Sequence, residues 1–110
     1  MLRRIKIILV MMLIFLLNIN HVSLADEINT TKLFEINCAG CHPKGGNIIR
    51  RGKTLKLKDL KKFKMDTLSS VTDIVTNGKG NMSAYKERLS EPEIDAVSSY
   101  VLEQAEKNWQ

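Results

Sequence analysis

The sequence predicts an all-α protein, and three observations carry that prediction. Apolar residues recur at helical spacing in several short windows. Nothing alternates at period two for long enough to make a strand. A capping box with a proline in the first turn, Ser90-Glu91-Pro92-Glu93, opens a long C-terminal helix. At 110 residues the chain holds one domain at most, and it contains no internal repeat or low-complexity segment.

The N-terminal stretch reads as a targeting segment. Arg3, Arg4 and Lys6 form a basic start, and Ile7 to Leu17 is an unbroken apolar run of eleven residues. Asn18 and Asn20 interrupt it, and Ser23-Leu24-Ala25 supplies a small-x-small cleavage pattern. This is a Sec-type secretory signal, expected to be cleaved after Ala25, so that 1–25 is removed and 26–110 folds. Eleven apolar residues fall well short of the roughly 20 that a spanning helix needs. Cleavage removes three basic residues and lowers the formal net charge from +5 to +2. It also removes His21, leaving His42 as the only histidine. No nucleic-acid partner is expected of so weakly charged a domain.

Along the remaining chain, Asn29 or Thr30 can cap a first helix in which Leu33, Phe34 and Ile36 supply apolar contacts. Residues 43–53 read as loop, with Gly45-Gly46 and Gly52. Leu57, Leu60 and Phe63 suggest a short second helix crowded with lysine on its outer side. A third helix is expected to start at Asp66 as cap, with Leu68, Val71, Ile74 and Val75 on one side and Asn77-Gly78 as the stop. In the last helix Ile94, Val97, Val101 and Ala105 line the inner face beside Tyr100, while Leu89 and Ile94 form a hydrophobic staple.

Between the first helix and the loop lies Cys38-Ala39-Gly40-Cys41-His42, the attachment pattern of c-type haem. Each thiol adds across one haem vinyl group, so the sulfurs must sit about one helical turn apart, near the 5.4 Å pitch. Histidine directly after the second cysteine is then carried under the ring, where it can bind iron. A structural zinc site needs about four protein ligands, and the only two cysteines and two histidines lack finger spacing. A thioredoxin-like pair should lie in a βαβ pattern, and none is present. One covalent haem c is therefore the expected cofactor, with Cys38 and Cys41 as its anchors and His42 as an iron ligand. Both thiols are consumed as thioethers, so no disulfide is expected.

With a single histidine, the sixth ligand must be another residue or water. Met65 and Met82 are the methionines left after cleavage. Met82 follows Gly78-Lys79-Gly80-Asn81, a turn that lets backbone approach a flat cofactor, whereas Met65 reads as core filler between two helices. Spacing and loop type make Met82 the expected ligand, and paired histidine and methionine ligation raises a haem's potential.

These residues resemble the cytochrome c6 family, the small cytochromes c of cyanobacterial and algal thylakoid lumens. The similarity runs from Phe34 through Asn37-Cys38-Ala39-Gly40-Cys41-His42, Gly45-Gly46-Asn47 and Lys53-Thr54-Leu55-Lys56. It continues in Thr76-Asn77-Gly78-Lys79-Gly80, Met82, Arg88-Leu89-Ser90, Ala96-Val97, Tyr100-Val101-Leu102, Gln104-Ala105-Glu106 and Trp109. The resemblance implies a class I cytochrome c fold, about four short helices around one covalently attached haem, with His42 proximal and Met82 distal. It implies a monomeric electron carrier in the thylakoid lumen of a cyanobacterium or plastid, not an enzyme. Cytochrome f would supply its electrons and photosystem I accept them, with no stable membrane insertion after cleavage. It also places Arg88 near the haem edge and brings Phe34 and Tyr100 together where the terminal helices cross. Three departures stand out: Met82-Ser83-Ala84-Tyr85 replaces the usual Met-Pro-Ala-Phe, Thr30 replaces a glycine, and Lys86-Glu87 stands where the family often has two glycines. Losing the proline removes a fixed φ and should loosen the ligand loop. Arg50, Arg51, Lys53 and Arg88 either steer docking to an acidic partner or merely solubilise the surface. A haem sensor with an open iron site, and a carrier tethered by an uncleaved signal, are the alternatives.

Overall fold

Five α-helices and one short 3-10 turn make up the regular structure of a computed structural model that describes residues 1–17 and 28–110. The helices are α1 (Leu2–Leu17), α2 (Thr30–Asn37), α3 (Leu57–Lys62), α4 (Leu68–Asn77) and α5 (Glu91–Glu106). The 3-10 turn spans Pro43–Gly45. Among the described residues the only extended pairing is a single antiparallel bridge between Lys79 and Met82.

α1 is the helical form of the apolar run, and none of its residues is buried. Sixteen residues make a helix of about 24 Å. Among the described residues no helix is long and apolar enough to cross a membrane. The expected cleavage position after Ala25 lies outside the described residues.

α2 begins where Asn29 accepts the Lys32 N–H on its side-chain oxygen at 3.1 Å. Thr30 instead turns its hydroxyl back to the Ile28 carbonyl at 3.3 Å. Phe34 is buried and Leu33 packs beside it, but Ile36 is 70% exposed, contrary to the sequence expectation. Two residues on a helix lie about 200° apart, so Phe34 and Ile36 cannot share one face.

In the loop that follows, Asn47 acts as a local tie. Its side-chain oxygen accepts the N–H groups of Ile49 (3.0 Å) and Arg50 (2.8 Å), and its amide donates to the Lys53 carbonyl (2.9 Å). Ahead of α3, Asp59 accepts from both the Thr54 hydroxyl (2.6 Å) and the Thr54 N–H (3.1 Å). These bonds hold its carboxyl below the usual carboxylate range. Leu60 is buried, as its spacing predicts. Phe63 falls just past α3 and stays 39% exposed, its ring under the ammonium groups of Lys53 (5.1 Å) and Lys62 (5.4 Å).

The cap of α4 is Thr67, one residue later than the expected Asp66. Thr67 and Ser70 each accept the other's backbone N–H, at 3.1 and 3.3 Å, a reciprocal bond that Asp66 stands one residue too early to make. Val71 and Val75 are buried and Ile74 is half-buried, while Leu68 at the helix start is 46% exposed. α5 keeps its predicted start: the Ser90 N–H donates to Glu93 (3.0 Å) and the Glu93 N–H to Ser90 (3.3 Å). Leu89, Ile94, Val97, Val101 and Ala105 are all buried. Ser98 is buried with them, a polar residue that the apolar pattern does not reveal.

α5 is the spine of the fold, packing on both α2 and α4. At its crossing with α2, the Phe34 ring lies 5.4 Å from Tyr100 and 5.1 Å from Trp109. Tyr100 and Trp109 meet edge to face at 6.2 Å. The Trp109 indole N–H donates to the Leu55 carbonyl at 3.0 Å, closing the C-terminal end over the middle of the chain. Its ring lies where a side chain at Gly45 would point, and Gly45 has a φ of +76°. Gly45→Ala is therefore expected to destabilise the protein by more than about 1 kcal/mol, since the strain of a positive φ adds to the clash. Thermal denaturation of the holoprotein checks this, with Gly52→Ala as control, because a Cβ there meets nothing within 4 Å.

Candidate haem site

The Cys38–His42 segment continues from α2 as one more turn. The N–H groups of Cys38 (2.8 Å) and Ala39 (3.0 Å) both bond the Phe34 carbonyl. Those of Cys41 (3.2 Å) and His42 (2.9 Å) both bond the Cys38 carbonyl. The two thiols thus lie one turn apart on a segment anchored directly behind the buried Phe34. Both are free, Cys38 half-buried and Cys41 exposed. Burial, and then the neighbouring Cys41, pushes the Cys38 thiol up to about 11. No cluster of three or more His, Cys, Asp or Glu side chains suited to a metal occurs among the described residues.

His42 is oriented by a contact the sequence does not announce. Its Nδ1 lies 2.8 Å from the Gly46 carbonyl oxygen. A carbonyl only accepts, so the ring proton must sit on Nδ1, which leaves Nε2 with a free lone pair. A second bond of this kind fixes the tautomer and ring orientation of an iron-binding histidine. The carbonyl is held in place by the turn itself: the Gly46 N–H donates to Pro43 (2.9 Å), and the Gly45 N–H to His42 (3.1 Å).

Met82 sits on a tight loop after α4. It exchanges both backbone bonds with Lys79, each 3.0 Å long, around Gly80-Asn81. Gly78 ends α4 with φ at +70°. A Cβ there would come 2.5 Å from the Met82 carbonyl oxygen and 2.7 Å from the Ala84 nitrogen, both backbone atoms. The glycine is thus needed for close approach to the backbone of the Met82 loop itself. The Tyr85 N–H returns the chain to α4 at the Val75 carbonyl (2.9 Å), and the Tyr85 hydroxyl reaches the Asn37 carbonyl (2.9 Å). Met65 is half-buried like Met82 and also packs on the core. It differs in position, its N–H closing the end of α3 on the Leu60 carbonyl at 2.7 Å.

Several apolar side chains of the fold are only partly covered. Leu55, Leu57, Ile74 and Tyr85 pack on the core yet stay half-buried, and Ile48 and Ile49 are 60% and 54% exposed. Free thiols one turn apart, an imidazole with Nε2 left open and half-covered apolar side chains all suit a large flat apolar group carrying iron. Arg50, Arg51 and Lys53 share the loop tied by Asn47, whereas Arg88 follows the Met82 loop with its guanidinium 4.6 Å from the Tyr85 ring. All four are exposed.

The family described as cytochrome c oxidase, cbb3-type, subunit III matches residues 26–101. A cytochrome c6-like protein of Nostoc sp. strain PCC 7120 is 62% identical over 84 residues, 76% of each chain. The chain belongs to the cytochrome c6 family. Cytochrome c6 of Aphanizomenon flos-aquae is 45% identical over 85 residues, covering 77% of this chain and 98% of that one. The crystal structure of cytochrome c6C from Synechococcus sp. PCC 7002 superposes with a TM-score of 0.69 at 50% identity, over 71% of this chain and 95% of that one. As a member of the cytochrome c6 family the protein is a mono-haem electron carrier that binds one covalent haem c. Its relatives are carriers rather than enzymes.

Gly78→Ala is expected to push the Met82 loop away from α4, at a cost above about 1 kcal/mol. The same change at Gly40, where a Cβ meets nothing within 4 Å, should cost far less. Denaturant unfolding of the two variants measures the difference.

Proposed function

We propose that Cys38 and Cys41 carry the haem as thioethers, that His42 and Met82 are its axial iron ligands, and that the protein shuttles electrons from cytochrome f to photosystem I in the thylakoid lumen. The observation that carries the assignment of His42 is the 2.8 Å contact between its Nδ1 and the Gly46 carbonyl. The partners and the compartment rest on the family and on the expected signal over residues 1–25. When bound, haem supplies an iron that alternates between two oxidation states. The chain's own residues keep that change small in structural terms. Gly46 holds the His42 ring in one tautomer and one orientation, which would leave Nε2 to hold iron without rearrangement of the ring. The paired bonds between Lys79 and Met82 keep the methionine on a short loop braced against α4. No substrate pocket is required, and weak redox encounters need under roughly 1,200 Å² of contact.

Acid-acetone treatment is expected to leave haem on the polypeptide, and a mature mass lacking the haem increment would overturn the attachment. The oxidised protein should show the weak near-infrared sulfur-to-iron band of His/Met haem. Met82→Ala should abolish that band and lower the potential, while Met65→Ala leaves both nearly unchanged. The reverse result would move the ligand to Met65. Absence of the band from the unsubstituted protein would favour an open iron site.

If the basic residues steer docking, electron transfer to photosystem I should slow as salt rises, because exposed charges are screened within about 10 Å at 0.1 M. Arg88→Glu should slow it more than Lys107→Glu, with the near-infrared band verified in both. Lys107 is paired with Glu103 at 2.8 Å on an exposed helix end, and breaking such a pair costs only about 0.3–0.5 kcal/mol. Equal effects would reduce the charges to general solubility.

A further inference from the structure

Two side-chain hydrogen bonds between distant parts of the chain stand out. One is Trp109 to Leu55, which closes the fold; the other is Tyr85 to Asn37, spanning 48 residues. The second joins the two halves of the haem site. Asn37 is the last residue of α2 and directly precedes Cys38. A helix C-terminus leaves carbonyls without intrahelical partners, and the Tyr85 hydroxyl takes up the one on Asn37 at 2.9 Å. Tyr85 lies three residues after Met82, and its own N–H is bonded to α4. The Arg88 guanidinium lies 4.6 Å from the ring, and the Arg88 N–H bonds the Tyr85 carbonyl at 2.9 Å. The side chain is therefore held at its backbone, its ring and its hydroxyl.

From this geometry we infer that Tyr85 is a positioning residue for the distal ligand: its hydroxyl latches the Met82 loop to the haem-attachment segment. The latch supplies by a hydrogen bond some of the restraint that Ser83 lacks for want of a proline ring. A phenylalanine at this position has no hydroxyl and cannot form it. Serine at 83 leaves room for a direct exchange of one restraint for the other, because no backbone bond of the loop uses the Ser83 N–H. The inference rests on Met82 as ligand.

The test uses oxidised holoprotein and imidazole, which displaces methionine from iron only when the loop opens. Tyr85→Phe removes one oxygen and should raise the imidazole association constant by roughly 2- to 10-fold, the factor expected from one net hydrogen bond. It should also lower the temperature at which the near-infrared band disappears by more than it lowers the far-ultraviolet melting temperature. Ser83→Pro in the Tyr85→Phe background should restore both readouts. An unchanged imidazole affinity overturns the latch, as does a band that is lost only in step with global unfolding. If the unsubstituted protein lacks the band and binds imidazole as tightly as Met82→Ala, the ligand assignment fails and takes the latch with it.

Discussion

Burial of Phe34 is the constraint on which the remaining geometry depends. Its ring is enclosed by Tyr100 and Trp109 from the C-terminal end of the chain, and its carbonyl receives the N–H groups of Cys38 and Ala39. One residue therefore fixes the crossing of α2 with α5 and the starting point of the attachment segment. The Cys38–His42 turn takes its starting point from that crossing, and Cys38 and Ala39 pack on the same core. The sulfur-bearing turn is anchored on that core through the Phe34 carbonyl, even though Cys41 itself is exposed.

Helices whose signals are local were legible in the sequence. The Ser90–Glu93 box, the Leu89–Ile94 staple and the buried face of α5 follow directly from residue type and spacing. The cap of α4 was misplaced by one residue because Asp66 and Thr67 are both good caps, and only the reciprocal bond to Ser70 separates them. Ile36 was misjudged because apolar character was counted without its angle around the helix. The haem pentapeptide and the Met82 loop were legible as motifs. Their bracing was not: the Gly46 carbonyl and the Asn37 carbonyl are backbone groups, present at every residue and identified only by the fold. Gly78 was legible as a glycine that ends a helix, but its proximity to the Met82 backbone was not.

The two sides of the candidate haem site are stabilised by different means. On the His42 side the restraint is short in sequence, since Gly46 is four residues away and belongs to the same turn. On the Met82 side the loop is braced by bonds to α4 and to the end of α2. Local restraints survive small shifts between helices, whereas long-range ones transmit them. The histidine side should therefore be the more constant of the two, and adjustments of helix packing should be felt first at the methionine.

The Trp109 closure also sets an order of events. Trp109 bonds a carbonyl 54 residues earlier in the chain and covers Gly45, within the turn that orients His42. A polypeptide that emerges from its N-terminus, whether from a ribosome or through a translocation pore, presents both thiols long before that indole appears. The attachment segment is thus accessible during a window when the aromatic lock cannot exist. A bulky group added to Cys38 and Cys41 within that window would meet an unclosed chain, and completion of the chain would then seal the turn behind it.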